Sequence, residues 1–133
     1  MSMIANHLLS KNNDNAPAIW VVFSGQTDRP WLGFLRKGFR HCFVVINDGQ
    51  RWISFDPMLN HIELKIHDHV PADFDLPRWL QKRGHIAVKA RQDLSHKTPA
   101  PLALFTCVEA VKRFLGVHRF GIQTPWQLYR YLN

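Results

Sequence analysis

No stretch of this 133-residue chain carries the run of about 18 apolar residues that a membrane-spanning helix needs. The first residues, Met1 to Pro17, lack the basic region and apolar core of a secretory signal. Cysteine is scarce: Cys42 and Cys107 are the only two, too few for a disulfide framework. Closely spaced zinc-ligand pairs are missing as well. His61 with His67-x-His69 is the one alternative, and exposed loop histidines are its plainer reading. No cofactor or metal is therefore expected. There are no internal repeats and no low-complexity segments. Acidic residues are few, 10 against 17 Lys and Arg, for a formal charge of +7. That charge speaks of partners rather than fold. Arg36, Lys37, Arg40, Lys82, Arg83, Lys89 and Arg91 could steer an anionic substrate. Nucleic acid is a second option, and a solvated basic surface is the default.

What is present is an ordinary globular composition, 46% hydrophobic and 20% charged, which argues against disorder. The expected organisation is a flexible lead-in over 1–17, rich in Asn and Asp, and one domain over 18–133. The expected compartment is cytoplasmic as synthesised. Small size without accessory domains would suit a phage-associated protein.

Ala18 to Ser24 (AIWVVFS) is a continuous apolar run, read as a central strand ended by Gly25. Trp31 to Gly38 reads as a loop or short helix. Arg40 to Ile46 and Arg51 to Asp56 are strands around Asn47-Asp48-Gly49, a hairpin signal. His61 to His67 alternates as a half-buried strand should, and Pro77 to Arg83 reads as a helical turn. Gly84 to Gln92 holds a fifth strand. Thr124-Pro125-Trp126-Gln127 is a capping box with proline at the first helical position, opening a helix through Tyr131. Strands followed by segregated helices predict an α+β fold, a mainly antiparallel sheet of about five strands with a cysteine-bearing helix packed on it.

That cysteine is Cys107. Thr106 followed by Glu109 reads as another capping box, starting a helix that runs to Leu115 and stops at Gly116. Val108, Val111 and Leu115 form its inward stripe. Cys107 then lies in the first turn, where unpaired N–H groups and the helix dipole favour a thiolate. Thr98 before Pro99 is a competing cap that would leave Cys107 mid-helix and inert; Pro99 and Pro101 argue for loop there. A buried packing cysteine is the commoner fate of such a residue.

The hairpin supplies partners. If Asp48-Gly49 is a two-residue type I′ loop, Asn47 pairs with Gln50 and His41 stands directly opposite Asp56. Opposed side chains lie about 5 Å apart at Cβ, close enough for an imidazole–carboxylate hydrogen bond. A three-residue loop would pair His41 with Phe55 instead. A helix-borne cysteine with an opposed His and Asp on strands makes the parts of a Cys-His-Asp triad.

The order Arg40-His41-Cys42-Phe43-Val44-Val45, hairpin turn, then Thr106-Cys107-Val108-Glu109 opening a helix resembles the circularly permuted papain-like fold. Members include permuted NlpC-type cell-wall peptidases and lecithin:retinol acyltransferase-like proteins. The likeness spans about Ala18 to Gly116 in element order and two short motifs in sequence. It implies Cys107 as nucleophile and His41 as base, with Asp56 or Ser54 as the polar third residue. The acyltransferase-like branch has a second histidine near Ser54, which is missing here. The resemblance thus implies a cysteine hydrolase of amide bonds, acting on a peptide, isopeptide or peptidoglycan peptide, rather than a lipid acyltransferase. The Cys107 N–H is one oxyanion donor. Gln26 and Gln50 are candidates for the second. The alternative is a catalytically silent module that binds through its basic face and five tryptophans.

Overall fold

The computed structural model of the chain describes residues 16–25, 39–58, 61–95, 100 and 106–133. Most of the expected lead-in, the Trp31–Gly38 segment, Thr98 and Gln26 lie outside the described residues.

The fold is α+β. Five strands, β1 (Ala18–Ser24), β2 (His41–Asn47), β3 (Trp52–Pro57), β4 (Ile62–His67) and β5 (Ile86–Ala90), form one antiparallel sheet in the order β4-β3-β2-β1-β5. Among the described residues three helices accompany it: α1 (Leu76–Lys82), α2 (Cys107–Leu115) and α3 (Pro125–Leu132). β1 is buried on both faces, as its unbroken apolar run requires.

The two faces are covered differently. On one, Val21, Phe23, Cys42 and Val44 pack with Val108, Val111 and Leu115 of α2 and Leu128 of α3. On the other, Val22, Val45 and Trp52 pack with Leu80 of α1. The loop before α1 is tied down by Trp52 Nε1 donating to the Phe74 carbonyl at 3.1 Å and Asn47 Nδ2 donating to Ala72 at 2.8 Å. α1 begins at Leu76, one residue earlier than expected, because Asp75 caps it by accepting from the Arg78 N–H.

Two expectations about the sheet need correction. The hairpin pairs Asn47 with Trp52 and Val44 with Phe55. Asp48 N–H donates to the Arg51 carbonyl at 3.3 Å, which leaves Gly49 and Gln50 at the tip rather than Asp48 and Gly49. The cause is the Asp48 carboxylate. It accepts from the Gln50 and Arg51 N–H groups at 2.9 and 2.8 Å, folding the turn around its own side chain. Gly49 still takes the positive φ, 91°, that the turn demands. The second correction concerns β4, which is an exposed edge rather than half-buried: Ile62, Leu64 and Ile66 are 45%, 68% and 53% exposed.

Helix α2 starts and stops where its code says. Thr106 Oγ1 accepts from the Glu109 N–H at 3.3 Å, and Gly116 closes the helix in the left-handed conformation. Glu109 does not complete a capping box, however. Its carboxylate is held by Lys112 Nζ at 3.2 Å and Arg113 Nε at 3.1 Å, and Lys112 Nζ also donates to the Ile122 carbonyl at 2.8 Å. Glu109 and Lys112 are both buried, so this pair locks α2 to the segment before α3. The Thr124–Gln127 capping box of α3 is complete in both directions.

Candidate active site

Three elements converge on one end of the sheet. β2 contributes His41 at its first position, β3 contributes Asp56, and α2 contributes Cys107 at its first helical position. The approach to His41 is fixed by Phe39, which is buried among Phe23, Trp126 and Tyr129 at ring distances of 5.6, 4.9 and 5.0 Å. Arg40 N–H then donates to the Ser24 carbonyl at 2.9 Å, starting the ladder that pairs Ser24 with His41.

His41 Nε2 and Asp56 Oδ1 are 2.6 Å apart. They are not directly opposed: continuing the register from Val44–Phe55 sets Asp56 against Phe43. The contact is diagonal, within reach of a histidine and an aspartate on the same face. Ser54, the other candidate third residue, is engaged elsewhere, its hydroxyl 2.9 Å from His67 Nε2. With Nε2 occupied by the carboxylate, Nδ1 is the ring nitrogen left for Cys107.

Cys107 hydrogen-bonds both His41 and Cys42. The Cys42 contact is one that the sequence analysis does not anticipate. The available signal was strand alternation. Cys42 and Val44 project toward α2, whereas Phe43 and Val45 project toward α1. Only at the strand's first residue, where the sheet ends, do His41 and Cys42 both meet the helix-borne thiol.

The electrostatics follow from these contacts. The hydrogen bond from Cys42 is the largest influence on Cys107; burial opposes it, and the hydrogen bond and charge of His41 add to it. Together they pull the Cys107 thiol down to about 5. Burial disfavours the His41 imidazolium, but the Asp56 hydrogen bond and the Cys107 thiolate outweigh it and raise His41 to about 9. Burial, reinforced by the neighbouring Cys107, pushes the Cys42 thiol well above the ordinary range, so it stays protonated and donates. Between about pH 5 and 9 the pair is thiolate and imidazolium.

Gln50 is no oxyanion donor. It sits exposed at the hairpin tip, at the far end of β2, about 20 Å from His41 by strand rise. Among the described residues no group of three His, Cys, Asp or Glu side chains is arranged to hold a metal ion, and no helix is long and apolar enough to cross a membrane. Part of the basic charge is spent on stacking: Arg83 lies 4.0 Å over Trp79, and Lys89 Nζ lies 6.0 Å from the Trp20 ring centre.

No protein family matches the chain, and neither a curated protein nor a solved structure does.

Proposed function

We propose that this chain is a cysteine hydrolase of amide bonds with a circularly permuted papain-like arrangement. The observation that carries the reading is the 2.6 Å His41–Asp56 contact combined with the hydrogen bond from His41 to a cysteine at a capped helix start. A packing cysteine has no need of a charged histidine held by a carboxylate.

The thiolate of Cys107 attacks the substrate carbonyl, forming the S–C bond of a tetrahedral intermediate. Its oxyanion is received by the Cys107 N–H, which has no acceptor within the helix. The His41 imidazolium gives its proton to the amine as the C–N bond breaks, leaving a thioester. Neutral His41 then takes a proton from water, whose oxygen attacks the thioester; the acid leaves and the thiolate and imidazolium are restored. Asp56 holds the ring so that the other nitrogen faces the sulfur throughout.

The substrate class is a peptide, isopeptide or peptidoglycan peptide. Arg40, next to His41 in the chain, has a buried Nε with no hydrogen-bond partner among the described residues, which favours a carbonyl- or carboxylate-bearing ligand nearby. Digests of peptidoglycan peptides and isopeptide-linked peptides, read by amine release, test the reading. Wild-type protein is expected to release amine and Cys107→Ala is not. Equal release by both, or a Cys107 that resists alkylation in the native protein, would overturn it in favour of a silent binding module.

A further inference from the structure

Among the described residues the sheet ends at β4 without a neighbouring strand. Its sequence, Ile62-Glu63-Leu64-Lys65-Ile66-His67, splits into two faces. Ile62, Leu64 and Ile66 lie on the side where Phe114 of α2 stacks on Phe55 at 5.4 Å, yet all three remain exposed. Glu63 and Lys65 lie on the opposite side, 3.3 Å apart, in a solvent-facing pair that contributes little by itself.

The backbone of this edge has a definite polarity. Met58 N–H donates to the His61 carbonyl at 2.7 Å, so His61 directs its backbone groups at β3, and by alternation Glu63, Lys65 and His67 do the same. Ile62, Leu64 and Ile66 therefore direct their N–H and C=O groups outward from the open edge. Long open edges with apolar side chains are templates for pairing with another chain.

We propose that this edge is a dimer interface in which β4 pairs antiparallel with β4 of a second copy, about a two-fold axis at Leu64. That register is self-complementary at every position. Ile62 faces the second copy's Ile66, and Leu64 faces its counterpart. Those residues carry the outward backbone groups, so each such pair exchanges two hydrogen bonds. On the other face, Glu63 stands opposite the second copy's Lys65, and Lys65 opposite its Glu63, two ion pairs from one strand. Sliding the axis one residue to Glu63 or to Lys65 would set like charges directly against each other. Charge pattern, apolar pattern and backbone polarity thus select the same occupant and the same register. The product is a continuous ten-stranded sheet built from two five-stranded halves.

Sedimentation equilibrium of the full chain over roughly 1 to 100 µM tests this. The wild type is expected to be a dimer across the upper part of that range. Glu63→Lys and Lys65→Glu each place like charges in both pairs and should weaken dimerisation roughly ten- to a hundredfold. The double variant E63K/K65E restores opposite charges and should dimerise like the wild type. Leu64→Lys, which puts two cations on the axis, should be monomeric. All three altered positions are on the edge strand β4, and far-ultraviolet circular dichroism confirms that each of the four variants folds. A wild type that is monomeric throughout, a dimer unmoved by the single charge changes, or a double variant that fails to recover would overturn the proposal. None of these outcomes bears on Cys107 chemistry.

Discussion

His41 Nε2 reaches Asp56 Oδ1 at 2.6 Å across a hairpin whose register sets the two residues diagonally rather than face to face. A displacement of two residues keeps side chains on the same face of a sheet, whereas a displacement of one would have sent Asp56 to the other side. The contact therefore survives a turn that closes differently from its dipeptide signal. It also ties the third member of the site to the backbone of β3, which is paired on both edges.

The protonation states lead to the first prediction. Iodoacetamide should modify Cys107 and spare Cys42, which is fully buried and holds its proton. The Cys107 alkylation rate should rise through an acid limb near pH 5, as the thiolate forms. Hydrolysis should show the same acid limb and a fall near pH 9, where His41 loses the proton that the leaving amine requires. Mass-spectrometric mapping that finds Cys42 labelled first, or an acid limb near pH 8 to 9 typical of a free thiol, would contradict this.

Replacing Asp56 by Asn removes the carboxylate that raises His41. The imidazolium then loses its proton at lower pH, so the alkaline limb moves down from about 9. The weaker cation in turn supports the thiolate less, so the acid limb moves up from about 5. The activity profile should narrow from both sides, and the rate at its optimum should fall by roughly ten- to a thousandfold, less than for Cys107→Ala. A profile of unchanged width would remove Asp56 from the site.

Much of this arrangement is legible in local code. Thr106 and Gly116 bracket α2, and Thr124 with Gln127 opens α3, because caps act over three or four residues and need nothing distant. The five antiparallel strands follow from apolar runs and turn residues. The less legible features depend on side chains choosing between partners. Asp48 takes two backbone N–H groups and moves the hairpin tip by one residue. Glu109 prefers Lys112 and Arg113 to its own helix start, because burial rewards full charge pairing over one more backbone bond. The Cys42–Cys107 contact needs α2 docked on β2, which neither motif encodes alone. β4 alternates as a covered strand would, but alternation records which side chains share a face and not whether that face is covered.

Cys42 supplies the largest single influence on the Cys107 thiol, and that influence is a donated hydrogen bond. Cys42→Ala should therefore shift the acid limb of Cys107 alkylation upward from about 5, while leaving the His41–Asp56 contact in place. Cys42→Ser offers a hydroxyl donor and should recover most of the shift, at some cost in stability because a polar group then enters a buried apolar position. Alkylation profiles that coincide for wild type, Ala and Ser would show that His41 alone sets the Cys107 acidity.

Two glycines with positive φ separate strain from collision. Gly49 has φ 91° and open space around the position of a would-be Cβ, so Gly49→Ala meets only left-handed backbone strain, about 1 kcal/mol. Gly116 has φ 81°, and a Cβ there would collide with the Asp93 carbonyl oxygen. Asp93 cannot yield freely, because its N–H donates to the Leu115 carbonyl at 2.9 Å, stitching the chain after β5 to the end of α2. Gly116→Ala must add displacement of that backbone to the same φ strain, for a total of about 3 kcal/mol or more. Urea denaturation of both variants measures the difference. The helix that ends at Gly116 begins at Cys107, so Gly116→Ala should also slow Cys107 alkylation at pH 7, whereas Gly49→Ala, at the far end of β2, should leave it unchanged. Equal losses of stability would mean that Asp93 moves aside at little cost and that α2 is held in place by its Glu109–Lys112 pair and apolar stripe instead.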